Sequence, residues 1–338
     1  MAELLADHTT LRVGGAAAEF VVATTEAELV SAVREADDHG IPVLVLGGGS
    51  NLLVSDAGFD GRVVAVATRG VHADADACGG AVVRVAAGES WDAFVTHAVT
   101  QGWVGVEALA GIPGLVGATP IQNVGAYGQD VSETIASVRC WDRSDGEVHT
   151  LFHADCDFGY RTSRLKQEPG RWVVLEVVLQ LELGDLGTPV EYAELGRRLG
   201  VDLGGRVPLT DVREAVLGLR RGKGMVLDEA DHDTWSAGSF FTNPVLPAAR
   251  VPEGAPAWPQ PDGSVKTSAA WLIEQAGFHR GHGNDRVALS GKHPLALTNR
   301  GGATAADLIA LAREVRDGVR ERFGVELVNE PVLVGCAL

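Results

Sequence analysis

Residues 111–128 read Gly-Ile-Pro-Gly-Leu-Val-Gly-Ala-Thr-Pro-Ile-Gln-Asn-Val-Gly-Ala-Tyr-Gly. Their glycine backbone can approach a flat ligand closely because no Cβ intervenes, while Thr119, Gln122 and Asn123 supply hydrogen-bonding groups. A stretch this long without helical or strand periodicity is usually functional in a compact protein. An irregular structural loop is the alternative. Since no acidic residue occurs between Gly111 and Asp130, the composition favours a loop that faces a ligand.

A second glycine-rich stretch lies upstream, where the apolar run Val43–Leu46 leads into Gly47-Gly48-Gly49-Ser50-Asn51. Successive backbone N–H groups in such a turn can form a concavity that suits a phosphate. The turn lacks the third glycine of a Rossmann fingerprint and the Lys-Ser/Thr of a Walker loop. By itself it is equally compatible with a plain structural turn.

The rest of the chain alternates helical and strand patterns and predicts an α+β fold. Thr25 with Glu28 predicts a capping box, Ser90 predicts a second helix start, and Thr304 with Asp307 a third. The proline-rich residues 251–263 predict a surface loop or linker. The predicted strands and hairpin arms are Glu19–Ala23, Val43–Leu46, Ile135–Asp142, Glu147–Phe152, Trp172–Leu183, Pro294–Thr298, Val325–Val328 and Val332–Val334.

Composition limits the possible partners. The 338 residues are 46% hydrophobic and 22% charged, which indicates a globular protein of two or three domains. With 28 Lys+Arg against 45 Asp+Glu, the net charge is -17, so nucleic acid and anionic membrane surfaces are not expected as partners. The first ten residues carry no Lys or Arg and the apolar runs are short, so we expect a cytoplasmic protein. We also expect a monomer.

The cysteines and histidines do not predict a metal site. Cys78, Cys140, Cys156 and Cys336 form no CxxC pair, and we expect free thiols buried in strands. His149 and His153 are four residues apart on a hairpin arm, a span of roughly 13 Å that one ion cannot bridge. We therefore predict no metal.

A basic cluster, Arg220-Arg221-Gly-Lys223, stands out in this acidic chain. Any anionic ligand must be held by local donors against the overall negative field. The cluster could bind a diphosphate, or it could be a solvated helix end where basic residues interact with the dipole.

Five ordered motifs together resemble one family. The two glycine-rich stretches are followed by Phe158-Gly-Tyr-Arg161, by Ala237-Gly-Ser239-Phe-Phe-Thr-Asn243-Pro and by Pro261-Asp-Gly-Ser-Val-Lys266. In this order they resemble the UDP-N-acetylenolpyruvoylglucosamine reductases, over Thr10 to Gly335. The resemblance implies an FAD-binding fold of the vanillyl-alcohol oxidase type with two subdomains, 1–66 and 67–228, a separate α+β substrate domain, 229–324, and C-terminal strands, 325–338, that return to the FAD-binding region.

The resemblance also implies an activity. NADPH would reduce bound FAD, which would then reduce the enolpyruvyl ether of a UDP-sugar to UDP-N-acetylmuramate in peptidoglycan precursor synthesis. Negative charge that develops on the substrate carboxylate needs a cation and a hydrogen-bond donor. A sugar or alcohol oxidase on the same flavin fold and a nucleotide-sugar-binding protein without catalysis are the alternatives.

Residue by residue, the resemblance assigns catalysis to Ser239 as proton donor, Arg161 and Glu330. Taken singly, these could be a turn hydroxyl, a surface ion pair and an exposed charge. Substrate contacts fall to Lys223, Tyr192 of a closing loop, Asn243 and Lys266. The cofactor-binding residues implied are Gly47, Gly48, Gly49, Ser50, Asn51, Ile112, Pro113, Gly117, Ala118, Thr119, Gln122, Asn123, Gly125 and Tyr127.

Two positions depart from the family pattern. Thr242 stands where many members carry lysine, which affects only a peripheral charge. In Val-Asn-Glu330-Pro the proline follows the glutamate, whereas the family usually places it before. Glu326 is therefore a second candidate for the catalytic glutamate.

Overall fold

The structure, a computed structural model, describes residues 2–76 and 79–338. These residues form two compact units. The first unit comprises 2–17, 49–59 and 223–338, and the second comprises 18–48 and 60–222 apart from the gap. The predicted domain bounds refer to ligand-binding domains, whereas the units follow chain packing, so those bounds stay predictions.

Helices and strands alternate along both units. The helices are α1 (Glu26–Asp38), α2 (Trp91–Thr100), α3 (Thr119–Gln122), α4 (Arg164–Gln167), α5 (Ala193–Leu199), α6 (Leu209–Gly222), α7 (Ala269–Gln275) and α8 (Ala305–Phe323). The strands are β1 (Ala17–Ala23), β2 (Val43–Leu46), β3 (Leu52–Val54), β4 (Phe59–Val66), β5 (Val71–Asp76), β6 (Gly80–Ala86), β7 (Trp103–Val104), β8 (Gly125–Ala126), β9 (Gln129–Asp130), β10 (Ile135–Asp142), β11 (Glu147–Phe152), β12 (Trp172–Leu183), β13 (Val245–Pro247), β14 (Ala257–Pro259), β15 (Ser264–Thr267), β16 (Val287–Leu289), β17 (Leu297–Asn299) and β18 (Val332–Val334).

The second unit contains the short β8–β9 pair and two larger sheets. One has the order β1-β4-β2, in which β2 and β4 run parallel. The other has the order β11-β10-β12-β6-β5, with β7 also paired to β12. The predicted hairpin is confirmed, since Trp141 opposes Val148 in the β10–β11 register.

Helix α1 joins these two sheets through its apolar face. Its N-terminus is the predicted capping box, with Thr25 accepting from the Glu28 N–H and Glu28 accepting from the Thr25 N–H. Leu29 and Val33 are fully buried and pack with Trp141 of β10. Burial of this face, more than helix propensity, stabilises a helix of this length.

The first unit is built around α8. The predicted Thr304–Asp307 capping box is present, and Gly324 ends the helix in the left-handed conformation. The buried face of α8 packs with α7, with Leu289 and Leu297 of the β16–β17 pair, and with Phe240 and Phe241.

Small sheets complete this unit, and they correct two predictions. The predicted loop 251–263 contains β14, which pairs with β15 in the order β13-β15-β14. The predicted strand Pro294–Thr298 begins later, at Leu297 of β17. The residues before it form a turn, in which Ala296 N–H donates to the carbonyl of His293.

The predicted strand Val325–Val328 is wrong. Its alternating burial is real, with Val325 and Leu327 in the core, but its backbone forms no ladder among the described residues. Val328 instead accepts hydrogen bonds from Thr242. The strand β18 pairs in parallel with β3 rather than with this segment.

The cysteine prediction holds only in part. Cys140, Cys156 and Cys336 are free thiols, of which only Cys140 lies in a strand. Cys78 lies outside the described residues. Burial raises the pKa of the Cys156 thiol to about 11, so this thiol is a poor nucleophile near neutral pH. Within the residues described, no helix is both long and apolar enough to cross a bilayer.

Candidate active site

The two glycine-rich stretches meet in the second unit. A Cβ on Gly48 would lie only 2.7 Å from Gly114 Cα, and one on Gly47 would lie 3.9 Å from side-chain atoms of Leu115 and Ala118. Only glycine at 48 permits this approach, because real Cβ atoms do not come so close to backbone. The juxtaposition forms a cradle of backbone, which suits a phosphate-bearing planar ligand.

The start of α2 fixes the upstream half of the 111–128 segment. The Asp92 carboxylate accepts from Gly111 N–H at 2.6 Å. The backbone N–H of Trp91 donates to the carbonyl of Gly114 at 3.0 Å. Gly117 packs so tightly that a Cβ would lie 2.6 Å from that of Ala87. The segment is therefore held rigidly, which a site for a large cofactor requires.

Two non-glycine residues adopt left-handed backbone here, Asn123 (φ 44°) and Tyr127 (φ 52°). The Asn123 side chain is buried, donates to the carbonyl of Gly159 at 3.0 Å and accepts from Ser132 N–H. The Thr119 hydroxyl, also buried, donates to the carbonyl of Val116. These polar groups, predicted as cofactor contacts, shape the loop through bonds to protein atoms.

Arg161 is attached to this same segment. Its guanidinium donates to the carbonyls of Asn123 at 3.1 Å and Gly125 at 2.5 Å, and lies 3.6 Å from the Asp130 carboxylate. Its backbone is left-handed, with φ 54°, which a branched-chain or bulky residue adopts only under constraint. A Cβ at 125 would displace the Asp130 carboxylate, because it would overlap the Oδ1 atom. Arg161 is thus a fixed cation at the edge of the loop.

An aromatic pair and a buried cation flank the end of the segment. The rings of Tyr127 and Tyr192 meet edge-on, with centroids 5.5 Å apart. Near them, the Arg220 Nε has no solvent-accessible surface. Burial lowers the pKa of Arg220 to about 10, against the opposing influence of Tyr127 and Asp92. Arg220 therefore remains charged at neutral pH.

In the first unit, Ser239 lies in a turn held by two aromatic residues. Phe240 and Phe241 are each 1% exposed and pack edge-on at 5.1 Å. Glu330 joins this turn, because its N–H donates to the carbonyl of Phe240 at 2.8 Å. Within residues 2–76 and 79–338, no protein hydrogen bond engages the Ser239 hydroxyl, which leaves its proton available.

The second half of the upstream glycine turn is also fixed within the first unit. Gly49 accepts from Thr10 N–H at 3.2 Å, and its φ of 60° favours glycine. Asn51 accepts from Val332 N–H at 2.9 Å, and its side chain donates to the carbonyl of Glu330 at 3.4 Å. Asn51, Glu330 and the Ser239 turn are therefore linked through successive backbone contacts.

The other predicted substrate residues are dispersed in the first unit. The Asn243 side chain accepts from Ala269 N–H at 3.0 Å and so holds the start of α7. Lys266 lies on β15 opposite Val245 and Trp258. Lys223 directly follows the end of α6. Glu326 is exposed. It lies three residues before Asn329, whose backbone pairs with that of Phe241.

One group of potential metal ligands occurs among the described residues. Oxygen and nitrogen atoms of Asp142, Asp145 and His149 come within 4.8 Å of one another. The Asp142 carboxylate is already engaged by both Nε and Nη2 of Arg171, which holds its pKa well below the ordinary range. His149 likewise bonds to Asp145 at 2.8 Å. These bonds explain the cluster as the brace of a hairpin turn.

Sequence reasoning missed the residues that hold the site. Asp92 holds Gly111 at the start of the 111–128 segment, and Phe240 and Phe241 anchor the Ser239 turn, yet none was predicted to do so. The acidic residue after the Ser90 N-cap was a usable signal for Asp92, and the Phe-Phe pair beside Ser239 was a usable signal for an aromatic anchor.

Comparisons with known proteins agree with this geometry. Residues 17–151 match a family described as FAD binding domain, and residues 229–334 match the C-terminal domain of UDP-N-acetylenolpyruvoylglucosamine reductase. The α+β prediction, with an FAD-binding domain and a further C-terminal domain, is confirmed.

Two relatives align with nearly the whole chain. The UDP-N-acetylenolpyruvoylglucosamine reductase of Cutibacterium acnes is 60% identical, and that of Streptomyces coelicolor 57%, each over 99% of this chain and 90% of the relative. The solved reductase structure from Thermus caldophilus superposes with a TM-score of 0.68 at 27% identity, covering 99% of this chain and 98% of that one. This chain belongs to the UDP-N-acetylenolpyruvoylglucosamine reductase family.

Proposed function

We propose that this chain reduces the enolpyruvyl ether of UDP-N-acetylglucosamine-enolpyruvate to UDP-N-acetylmuramate, with FAD as cofactor and NADPH as electron source. The observation that carries this proposal is the approach of Gly48 to Gly114. Two sequence stretches that are separately ambiguous form one backbone cradle there, and Arg161 is bonded to the same segment.

The residues around this cradle fit FAD. Gly47–Asn51 would bind the pyrophosphate through backbone N–H groups, and Ile112–Gly128 would lie along the isoalloxazine. Thr119 and Asn123 would act by shaping the loop, since their side chains bond to protein atoms. When bound, FAD supplies hydride chemistry. The buried cation Arg220, beside Tyr127, would favour negative charge in its neighbourhood.

The catalytic roles follow from the chemistry of each side chain. Arg161 would stabilise the charge that develops on the substrate carboxylate, because its guanidinium is held in a fixed plane. Ser239 would deliver a proton to the second carbon of the enolpyruvyl group. Glu330 is a better candidate than Glu326 for the further donor, since its backbone bonds to the residue after Ser239.

For the substrate we propose Lys223 at the diphosphate and Tyr192 over the sugar nucleotide. Asn243, whose amide oxygen is engaged by Ala269 N–H, retains its Nδ2 hydrogens for donation. Lys266 is the fourth proposed contact. The protein is proposed to act as a cytoplasmic monomer without membrane or nucleic-acid partners, and the net charge of -17 supports the last point.

An anaerobic titration tests the function. NADPH should bleach the flavin absorbance of the purified protein, and one equivalent of the enolpyruvyl UDP-sugar should restore it and yield UDP-N-acetylmuramate. If air reoxidises the reduced flavin equally fast with and without the UDP-sugar, the result would instead support the sugar or alcohol oxidase. A protein that takes up no FAD would refute both.

A further inference from the structure

A buried carboxylate lies just before the 111–128 segment and has no place in the proposed chemistry. Glu107 is fully buried. Its Oε2 accepts from Gly105 N–H at 2.7 Å, and its Oε1 accepts from Thr188 N–H at 2.7 Å and from Gln129 Nε2 at 3.0 Å. A carboxylate suits this position because it accepts at both oxygens, which an amide cannot do.

Gln129 closes the network around this carboxylate. Its Oε1 accepts from Ala108 N–H at 2.8 Å, and its Nε2 also donates to the Thr188 hydroxyl at 2.7 Å. The bonds therefore join three separate stretches of the second unit. They are the turn that enters the 111–128 segment, the short strand β9 that follows it, and the segment that contains Thr188.

The Thr188 segment is held from two sides. Gly187 and Val190 donate their N–H groups to the carbonyls of Val207 and Gly205, each at 2.9 Å. Thr188 N–H donates to Glu107 instead. Gly187 is needed for this approach, since a Cβ there would lie 2.9 Å from Glu107 Oε1. The carbonyls of Val207 and Gly205 thus hold one side of this segment, and Glu107 holds the other.

The two ends of the network lead to the two tyrosines. Tyr127 lies two residues before Gln129, and Tyr192 lies four residues after Thr188. Between them, Gly128 faces Glu191, whose Cβ would be 3.1 Å from a Cβ at 128. The edge-on contact of the two rings at 5.5 Å therefore depends on how Glu107 aligns the two stretches.

We propose that Glu107 is a positioning residue that sets the register between the flavin-binding segment and the Tyr192 segment, and so sets affinity for the UDP-sugar. This inference rests on the proposed function. Because Glu107 is fully buried and its oxygens bond to protein groups, it would act without touching cofactor or substrate. It acts through Tyr192, a residue that is 45% exposed and whose ring therefore depends on the backbone for its position.

Substitution of Glu107 by Gln tests the proposal at constant volume. One N–H donor must then face an amide NH2 group, so at least one buried bond is lost. The matched control is Asp142→Asn, which makes the same chemical change in a carboxylate with 1% side-chain exposure that braces the β10–β11 hairpin. Both variants should unfold at lower temperature than the native protein.

Only E107Q should raise KM for the enolpyruvyl UDP-sugar, by about tenfold for one lost buried hydrogen bond, with kcat changed far less. Thr188→Val should give a smaller rise, because it removes the hydroxyl that accepts from Gln129. Thr188→Ser retains this hydroxyl and should behave like the native protein. This pair keeps the test decisive if E107Q does not fold.

Each outcome separates the two proposals. If the native protein does not turn over the UDP-sugar, the proposed function is lost. If the native protein is active but E107Q raises KM no more than D142N does, or T188V no more than T188S, Glu107 serves folding alone and the positioning role is refuted.

Discussion

The 111–128 segment and the Ser239 turn are held in place by different forces. The segment is fixed by glycine contacts and by polar bonds to buried groups, such as Asp92 to Gly111. The turn is fixed by the burial of Phe240 and Phe241, while Ser239 itself forms no protein hydrogen bond in the described part of the chain. A surface that must accept a flat cofactor needs backbone exposure, whereas a single proton donor needs only a rigid support.

The largest effect should come from the hydroxyl that the turn presents. We expect Ser239→Ala to reduce turnover of the UDP-sugar by about 10²–10⁴-fold, the usual contribution of one positioned proton donor. FAD content and reduction of the flavin by NADPH should be unchanged. Stopped-flow measurement of both half-reactions checks this, with Ser264→Ala at the start of β15 as the control. A slow first half-reaction would contradict the role assigned to Ser239.

The support of the turn should matter for stability. We expect Phe241→Ala to lower the free energy of unfolding by about 3–5 kcal/mol, because it removes a fully buried ring. The matched control is Phe152→Ala, where the residue is 63% exposed and a change within about 0.5 kcal/mol is expected. Urea unfolding followed by far-UV circular dichroism measures both. Equal losses would mean that the aromatic pair is not the anchor.

A third effect concerns the stability that polar bonds to a buried carboxylate contribute, which depends on pH. Arg171 holds the pKa of Asp142 well below its ordinary range, with Ser144 contributing. A lowered folded-state pKa stabilises the protein above the unfolded value of about 3.9, and this contribution is lost as pH falls through the folded value. The difference in unfolding free energy between native protein and Asp142→Asn should therefore shrink below about pH 4. A difference that stays constant down to pH 3 would contradict this.

The smallest effect on stability and turnover should come from Thr242, three residues after Ser239. Its hydroxyl donates to the carbonyl of Val328 at 3.4 Å, which is too long for a strong bond. Thr242→Lys restores the residue that many family members carry, and we expect stability to change by about 0.5 kcal/mol or less. Unfolding and turnover assays of this variant test whether the turn depends on its aromatic residues alone.

Local sequence signals predicted local structure well. The Thr25 and Thr304 capping boxes and the β10–β11 hairpin are confirmed, because their partners lie within a few residues or across a tight turn. Val325–Val328 was predicted wrongly as a strand, since alternating burial is the same whether the extended backbone pairs in a sheet or only packs on a core.

The long-range supports of the site could not be predicted from the sequence. Glu107 bonds to residues 22 and 81 positions away, and no local pattern indicates such partners. The left-handed backbone of Arg161 and the bonds of its guanidinium to two carbonyls of the 111–128 segment are equally invisible, because those carbonyls lie 36 and 38 positions away. The glycines at 48 and 114 were recognised, but their contact with each other required the fold.

That contact is tested most directly by the FAD affinity of Gly48→Ala. A methyl group at 48 would overlap Gly114, so we predict that FAD binds at least about tenfold more weakly. Gly222→Ala, where a Cβ meets nothing within 4 Å, should retain native affinity in the same fluorescence titration. Native affinity in Gly48→Ala would mean that the cofactor lies elsewhere.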